Sequence, residues 1–309
     1  MCDIWRTPEK KIFDFSKFRK ITNELAKMGC CYVTLSGGEP LIIPNITNYV
    51  LEVKNKKMFV NLVTNGLLVS PQLAKQLSEI ELDTISISVD GFQDTHDNIR
   101  GKEGSFESAM RAIEVMKRFA PNIKIVVNTV ISSWNINELT KFCDFLSRKN
   151  VFVKFQPIYD CSVSLDLKKV SRKFYINEEL IAKLKKSIRY LLKRKNVINS
   201  RYFLTLIPKY FSKQLSGIIL NGKCYTGYYF CEFMEDGLMF PCLEGMGWDK
   251  GIDIADRNLS SFMESDIYAK ELKELKSCRR CKEILTICYG EPKFLLPFHN
   301  FIYRIAYLW

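Results

Sequence analysis

The chain has 309 residues, 46 Lys+Arg against 34 Asp+Glu, a formal net charge of +12, and 47% apolar against 26% charged residues. That balance belongs to a folded globular protein and excludes disordered, collagen-like and coiled-coil classes. Eleven cysteines stand beside only two histidines, His96 and His299, which argues against His-rich metal centres and Ser-His-Asp triads and directs attention to thiol chemistry.

In chain order, residues 14–29 place Phe18, Ile21, Leu25 and Met28 at helical spacing, closed by Gly29. Residues 31–35 form a short strand ending at Ser36-Gly37-Gly38-Glu39-Pro40. A helix near 45–56 leads to a strand at 59–63, which ends at Thr64-Asn65-Gly66. Ser70-Pro71 supplies a cap and a first-turn proline for the next helix, and the strand 84–89 ends at Asp90-Gly91. Helices at 106–119 and 136–148 precede strands at 123–131 and 151–156. Such alternation predicts consecutive βα units in a parallel sheet or barrel, with ligands gathered at the carboxyl ends of the strands.

Beyond residue 160 the pattern changes. Residues 175–195 read as a long amphipathic, Lys-rich helix, and 200–215 as an aromatic, basic one. A solvated face explains the charge best; no nucleic-acid-binding signature accompanies it. From Lys223 the chain is loop-rich and holds six cysteines. Cys224-X12-Gly237-X4-Cys242 is followed by Cys278-X2-Cys281-X6-Cys288, with Cys231 between the first pair. A two-residue gap lets both thiolates of one turn reach one metal, and either an iron–sulfur cluster or a structural zinc fits that chemistry. The predicted division is a core at 1–160, a helical connector at 161–221, a cysteine module at 222–291 and an aromatic tail at 292–309.

Cys2 before the first helix, Gly37-Gly38-Glu39-Pro40 after the first visible strand, Thr64-Asn65-Gly66, the stretch Ser86 to Gly91, and His96 with Ile99-Arg100-Gly101 and Gly104-Ser105-Phe106 together resemble the radical SAM enzymes. The later cysteines resemble their SPASM or twitch extension. The resemblance covers roughly residues 1–160 and 222–290. It implies an α/β fold: a partial (β/α)6 TIM-like barrel with its first strand missing, and a small cluster domain at the carboxyl end. It implies a [4Fe-4S] cluster, bound S-adenosylmethionine, and hydrogen abstraction from a substrate of peptide, protein, cofactor-precursor, sugar or lipid type. The implied cofactor-binding residues are Ser36, Gly37, Gly38, Glu39, Pro40, Thr64, Asn65, Ser88, Asp90, Arg100, Asn128 and Gln156. Glu39 would pair with the ligand's ammonium and Arg100 with its carboxylate.

The implied metal ligands are Cys2, Cys224, Cys231, Cys242, Cys278, Cys281 and Cys288. Pro292 stands where a fuller SPASM set has a cysteine, which favours one auxiliary cluster on Cys224, Cys242, Cys278 and Cys281; a second would draw on Cys231 and Cys288. Met1-Cys2 resembles the end of a CxxxCxMC loop, so a chain starting there is expected to lack two cluster thiols and to be inactive. A binding protein on a degenerate radical SAM scaffold, holding Fe–S or zinc, is the alternative to an enzyme.

Cys30, Cys31, Cys143 and Cys161 are expected in the core, with Cys161 a weak catalytic candidate. The implied electron donor is flavodoxin or ferredoxin. No leader pattern opens the chain and no apolar run spans a bilayer, so a cytoplasmic protein is expected, and the resemblance implies that it is oxygen-sensitive. The basic helix and aromatic tail offer a peripheral membrane contact as a second reading.

Overall fold

The computed structural model describes residues 12–158, 176–214, 227, 230–242, 251–254, 257–277 and 285. Its first part follows the predicted alternation. Five parallel strands, β1 (Tyr32–Leu35), β2 (Phe59–Thr64), β3 (Thr84–Ser88), β4 (Lys124–Ile131) and β5 (Phe152–Pro157), form one sheet in sequential order. Helix α1 (Phe15–Lys27) precedes β1; α2 (Ile46–Asn55), α3 (Pro71–Glu79), α4 (Gln93–Arg100) with α5 (Ser105–Phe119), and α6 (Leu139–Arg148) fill the connections. The sequence marks several helix starts. Asp14 accepts from Lys17 N at the start of α1, and Ser70 accepts from Leu73 N before the first-turn Pro71 of α3.

The sheet has two unlike faces. On one, Val60, Leu62, Ile85, Ile87, Val127 and Val153 are fully buried and pack against the helices. The other carries Asn61, Ser86, Ser88, Asn128, Lys154 and Gln156, as the strand registers require. A parallel sheet covered equally on both sides is apolar on both faces. Here amides, hydroxyls and a cation line one side, and the strand periodicity of two puts them there.

Helices α7 (Glu178–Leu191) and α8 (Arg201–Phe211) fall within the predicted connector but pack into the core of the sheet. Between them the chain closes the outer edge of β5. Val153 N donates to Asn196 O at 2.8 Å, and Ile198 N donates to Val153 O at 3.1 Å. Asn199 accepts from Phe155 N at 2.7 Å and donates to Phe155 O at 2.9 Å. An exposed strand edge is an invitation to mispairing, and this one is covered.

The described residues of the carboxyl-terminal stretch carry short regular elements between loops. Strands β6 (Glu232–Phe233), β7 (Leu238–Phe240) and β8 (Ile252–Asp253) form a small antiparallel sheet, followed by α9 (Leu259–Met263) and α10 (Asp266–Ser277). Met239, Cys242, Leu259, Phe262, Tyr268 and Leu272 make a second apolar cluster that takes in Ile21 of α1. Tyr268 satisfies its buried hydroxyl by donating to Gly227 O at 2.6 Å.

Among the cysteines expected in the core, Cys143 is fully buried, whereas Cys30 is half-buried and Cys31 exposed. Those two sit in the turn from α1 into β1, the first strand in the order of the described sheet, and Cys30 packs against the margin of the core. Cys2, Cys161, Cys224, Cys278, Cys281, Cys288 and the aromatic tail lie outside the described residues. No described helix is long and apolar enough to cross a membrane.

Candidate functional site

The predicted ligand-binding residues come together at the carboxyl ends of β1 to β5. Ser36, Gly37 and Gly38 form an exposed turn after β1, and the buried Pro40 starts a short 3-10 turn. Glu39, between them, ties β1 to β2. Its Oε1 accepts from Thr64 Oγ1 at 2.7 Å and from Leu41 N at 3.2 Å, and its Oε2 accepts from Asn65 N at 2.8 Å. The two motifs are therefore one hydrogen-bonded unit. Thr64 Oγ1 also accepts from Gly66 N at 3.0 Å, which folds the strand end back on itself. A Cβ built on Gly37 or Gly38 meets no atom of the described residues within 4 Å, so among those residues nothing packs on this exposed turn.

A second unit stands at the ends of β3 and β4. Asp90 is fully buried, and its Oδ1 accepts from Val130 N at 3.0 Å. Its Oδ2 lies 2.8 Å from Nη2 of Arg100, the last residue of α4. That ion pair lacks the alignment of a hydrogen bond and leaves Oδ2 without a donor. The expected direct contact of Asp90 with a ligand does not match this geometry, because the whole residue is sealed beneath the surface. Arg100, by contrast, keeps a side chain 30% exposed.

Ser88 and Asn128 are half-buried register partners on the polar face, and Gln156 pairs with Val130 two residues further along. Lys154 sits opposite Asn128 on the same face. Its place could have been read from the alternation of 151–156, since it shares parity with Gln156.

Four supporting residues carried no site assignment from sequence. His96, inside a quoted motif, is buried and accepts Asp90 N on Nδ1 at 3.0 Å. Burial holds its pKa down at about 4, with Arg100 adding to the effect and Asp90 opposing it, so the ring is neutral and free to accept. Asn135, fully buried, donates to Asp90 O at 2.7 Å. Glu138 accepts from Phe92 N at 3.0 Å and so caps α4, and burial pushes its pKa up. Asp97 accepts from Gly104 N, Ser105 Oγ and Phe106 N at 2.7–2.8 Å; burial raises its pKa, but those hydrogen bonds outweigh it and hold the carboxyl low. Asn135 and Glu138 belong to no motif, and nothing local in the sequence marks them.

Of the predicted metal ligands, Cys231 and Cys242 are described, half-buried and buried respectively. Burial, with Cys30 and Glu232 adding to it, pushes the Cys231 thiol up to about 12. Among the described residues no three metal-capable side chains converge.

Residues 1–146 match the family profile described as Radical SAM superfamily. The AdoMet-dependent heme synthase of Methanosarcina barkeri is 35% identical over 120 residues, covering 38% of this chain and 34% of that protein. The mycofactocin maturase MftC of Mycobacterium tuberculosis is 31% identical over 131 residues, covering 42% and 33%. The chain thus matches about a third of the length of these curated relatives, both of them enzymes by name. The fold resembles that of native anSMEcpe with bound AdoMet and Kp18Cys peptide, at a TM-score of 0.66 and 19% identity over 96% of this chain and 90% of that one. Residues 1–146, just under half of the chain, thus match the Radical SAM superfamily profile, and the sequential parallel sheet agrees with that likeness.

Proposed function

We propose that the protein binds S-adenosylmethionine across the carboxyl ends of β1 to β5 and begins hydrogen abstraction on a substrate, of which a peptide or protein is the favoured class. The observation that carries this reading is the Glu39–Thr64–Asn65 unit set against the open Gly37-Gly38 turn. A carboxylate has about four lone-pair sites, and three donors from the chain occupy Glu39. One site remains for an ammonium at the turn. Arg100 offers guanidinium donors for a carboxylate. Ser88, Asn128 and Gln156 present hydroxyl and amide groups suited to a ribose and an adenine. The residues present fit the ligand.

When bound, S-adenosylmethionine and a reduced [4Fe-4S] cluster supply the one-electron cleavage that yields a 5′-deoxyadenosyl radical. The chain's own task is to bind and orient. The glycine turn leaves room for close approach, Glu39 and Arg100 present opposite charges, and the half-buried polar face limits water. Cys2 is proposed as a ligand of that cluster, and Cys224, Cys242, Cys278 and Cys281 as ligands of an auxiliary one, with Cys231 and Cys288 held for a second. Flavodoxin or ferredoxin is the proposed electron donor. The peptide class is supported by the fold shared with a protein whose structure holds a peptide, and by a relative named as a maturase.

The test is anaerobic reconstitution of the protein, expressed from its native reading frame, with iron and sulfide. Dithionite and S-adenosylmethionine should then release 5′-deoxyadenosine, and Glu39→Gln should slow that release at least tenfold. Stoichiometric zinc without sulfide, or cluster-loaded protein that never cleaves the ligand, would sink the proposal.

A further inference from the structure

Asp90 has the residue type of a ligand contact, but its geometry gives it another task. It is fully buried and tied down on three sides. Its N–H donates to His96 Nδ1 at 3.0 Å, its carbonyl accepts from Asn135 Nδ2 at 2.7 Å, and its Oδ1 accepts from Val130 N at 3.0 Å. The last of these bonds explains why an acid stands here. Strand β3 ends at Ser88 while β4 runs on to Ile131, so Val130 N has lost its strand partner and takes the side chain instead. Among the described residues the remaining oxygen, Oδ2, accepts no hydrogen bond and pairs with the Arg100 guanidinium at 2.8 Å.

A buried carboxylate needs a partner charge, and a guanidinium is a planar fork with five N–H donors, of which one nitrogen meets Asp90. We infer that Asp90 is a positioning residue: held rigid from β4, α4 and the loop before α6, it pins one edge of the Arg100 fork so that the other edge faces the mouth and meets the ligand's carboxylate. This rests on the proposed binding of S-adenosylmethionine. It assigns the acid an action through Arg100 rather than a contact of its own. The competing explanation is that the ion pair merely fastens α4 to the sheet.

The two explanations differ in which ligand suffers. Cluster-loaded protein is titrated with S-adenosylmethionine and with its decarboxylated analogue, by equilibrium dialysis, for the wild type, Arg100→Gln, Asp90→Asn and the double variant. Asn keeps an acceptor for Val130 N and removes the charge facing Arg100. The preference for the carboxylated ligand should fall about tenfold in Arg100→Gln and at least threefold in Asp90→Asn, with the double variant no worse than Arg100→Gln. An equal loss for both ligands in Asp90→Asn overturns the positioning role, and so does an unchanged preference in either single variant. If Asp90→Asn does not fold, His96→Gln, which disturbs the same loop and leaves the carboxylate in place, must show the selective loss; an unselective loss there overturns the idea equally. Failure of the wild type to bind either ligand would instead remove the underlying functional reading.

Discussion

His96 gives the fold a pH dependence of known sign. Its folded pKa of about 4 lies below the 6.5 of a free imidazole, because burial disfavours the charged ring. The stabilisation is therefore complete above about pH 6.5 and is lost as pH falls toward 4, on the order of 3 kcal/mol in all. Glu138 works in the opposite sense: its pKa is raised by burial, so it favours the fold as pH falls. The His96 effect is thus a difference. The urea midpoint of the wild type should drop between pH 7 and 4.5 more steeply than that of His96→Gln, and parallel slopes would refute it. Gly91 supplies a second prediction at this scale. A Cβ there comes 1.9 Å from Glu138 Oε1, the atom that caps α4 through Phe92 N. Gly91→Ala should cost about 1–2 kcal/mol, the worth of a lost cap plus displacement. In a Glu138→Ala background the part of that cost due to the displaced carboxylate should vanish, a non-additivity of at least ~0.5 kcal/mol in a double-mutant cycle, while the strain of a side chain at φ +157° stays.

Helix α5 shows what a motif is for at the level of an element. Gly104 is its formal cap and has no side chain, and Asp97 of α4 does the capping through three donors at the start of α5. Asp97→Ala should lower stability by about 1–2 kcal/mol in chemical denaturation, whereas Asp97→Asn, which can still accept, should cost less. The same helix limits Gly66, whose φ is +85° and whose added Cβ would sit 3.1 Å from Ala112 Cβ and 3.3 Å from Ala109 Cα. Gly66→Ala combines left-handed strain with overpacking, and a loss of ~2–3 kcal/mol in the denaturation midpoint is expected. The sequence showed elements with strong periodicity, such as α1 and α5, to within a few residues. It did not show α4. Only His96 and Ile99 of its eight residues are buried, and its cap arrives from Glu138, 46 residues away. A helix held by distant partners leaves almost no periodic trace.

Across the whole molecule, Ile21 links the two parts of the chain. It lies on α1 yet belongs to the apolar cluster of Met239, Leu259 and Phe262. Ile21→Ala should cost ~2–4 kcal/mol of contact between α1 and the carboxyl-terminal module. Limited proteolysis should then cut within 257–277 faster than in the wild type while the sheet stays resistant; unchanged cutting there would show that Ile21 does not couple them. The sequence by itself determined the βα alternation, the polar residues at the strand ends and the abundance of thiols, because strand and helix periods and residue chemistry are local properties. Only the tertiary structure decided which strand-end residues face outward. Glu39 finds Thr64 and Asn65 across 25 and 26 residues, and Asp90 finds Val130 and Asn135 across 40 and 45. Partners that far apart are chosen by the register of parallel strands and the packing of their crossover helices. That packing buried Asp90 and left Arg100 at the mouth.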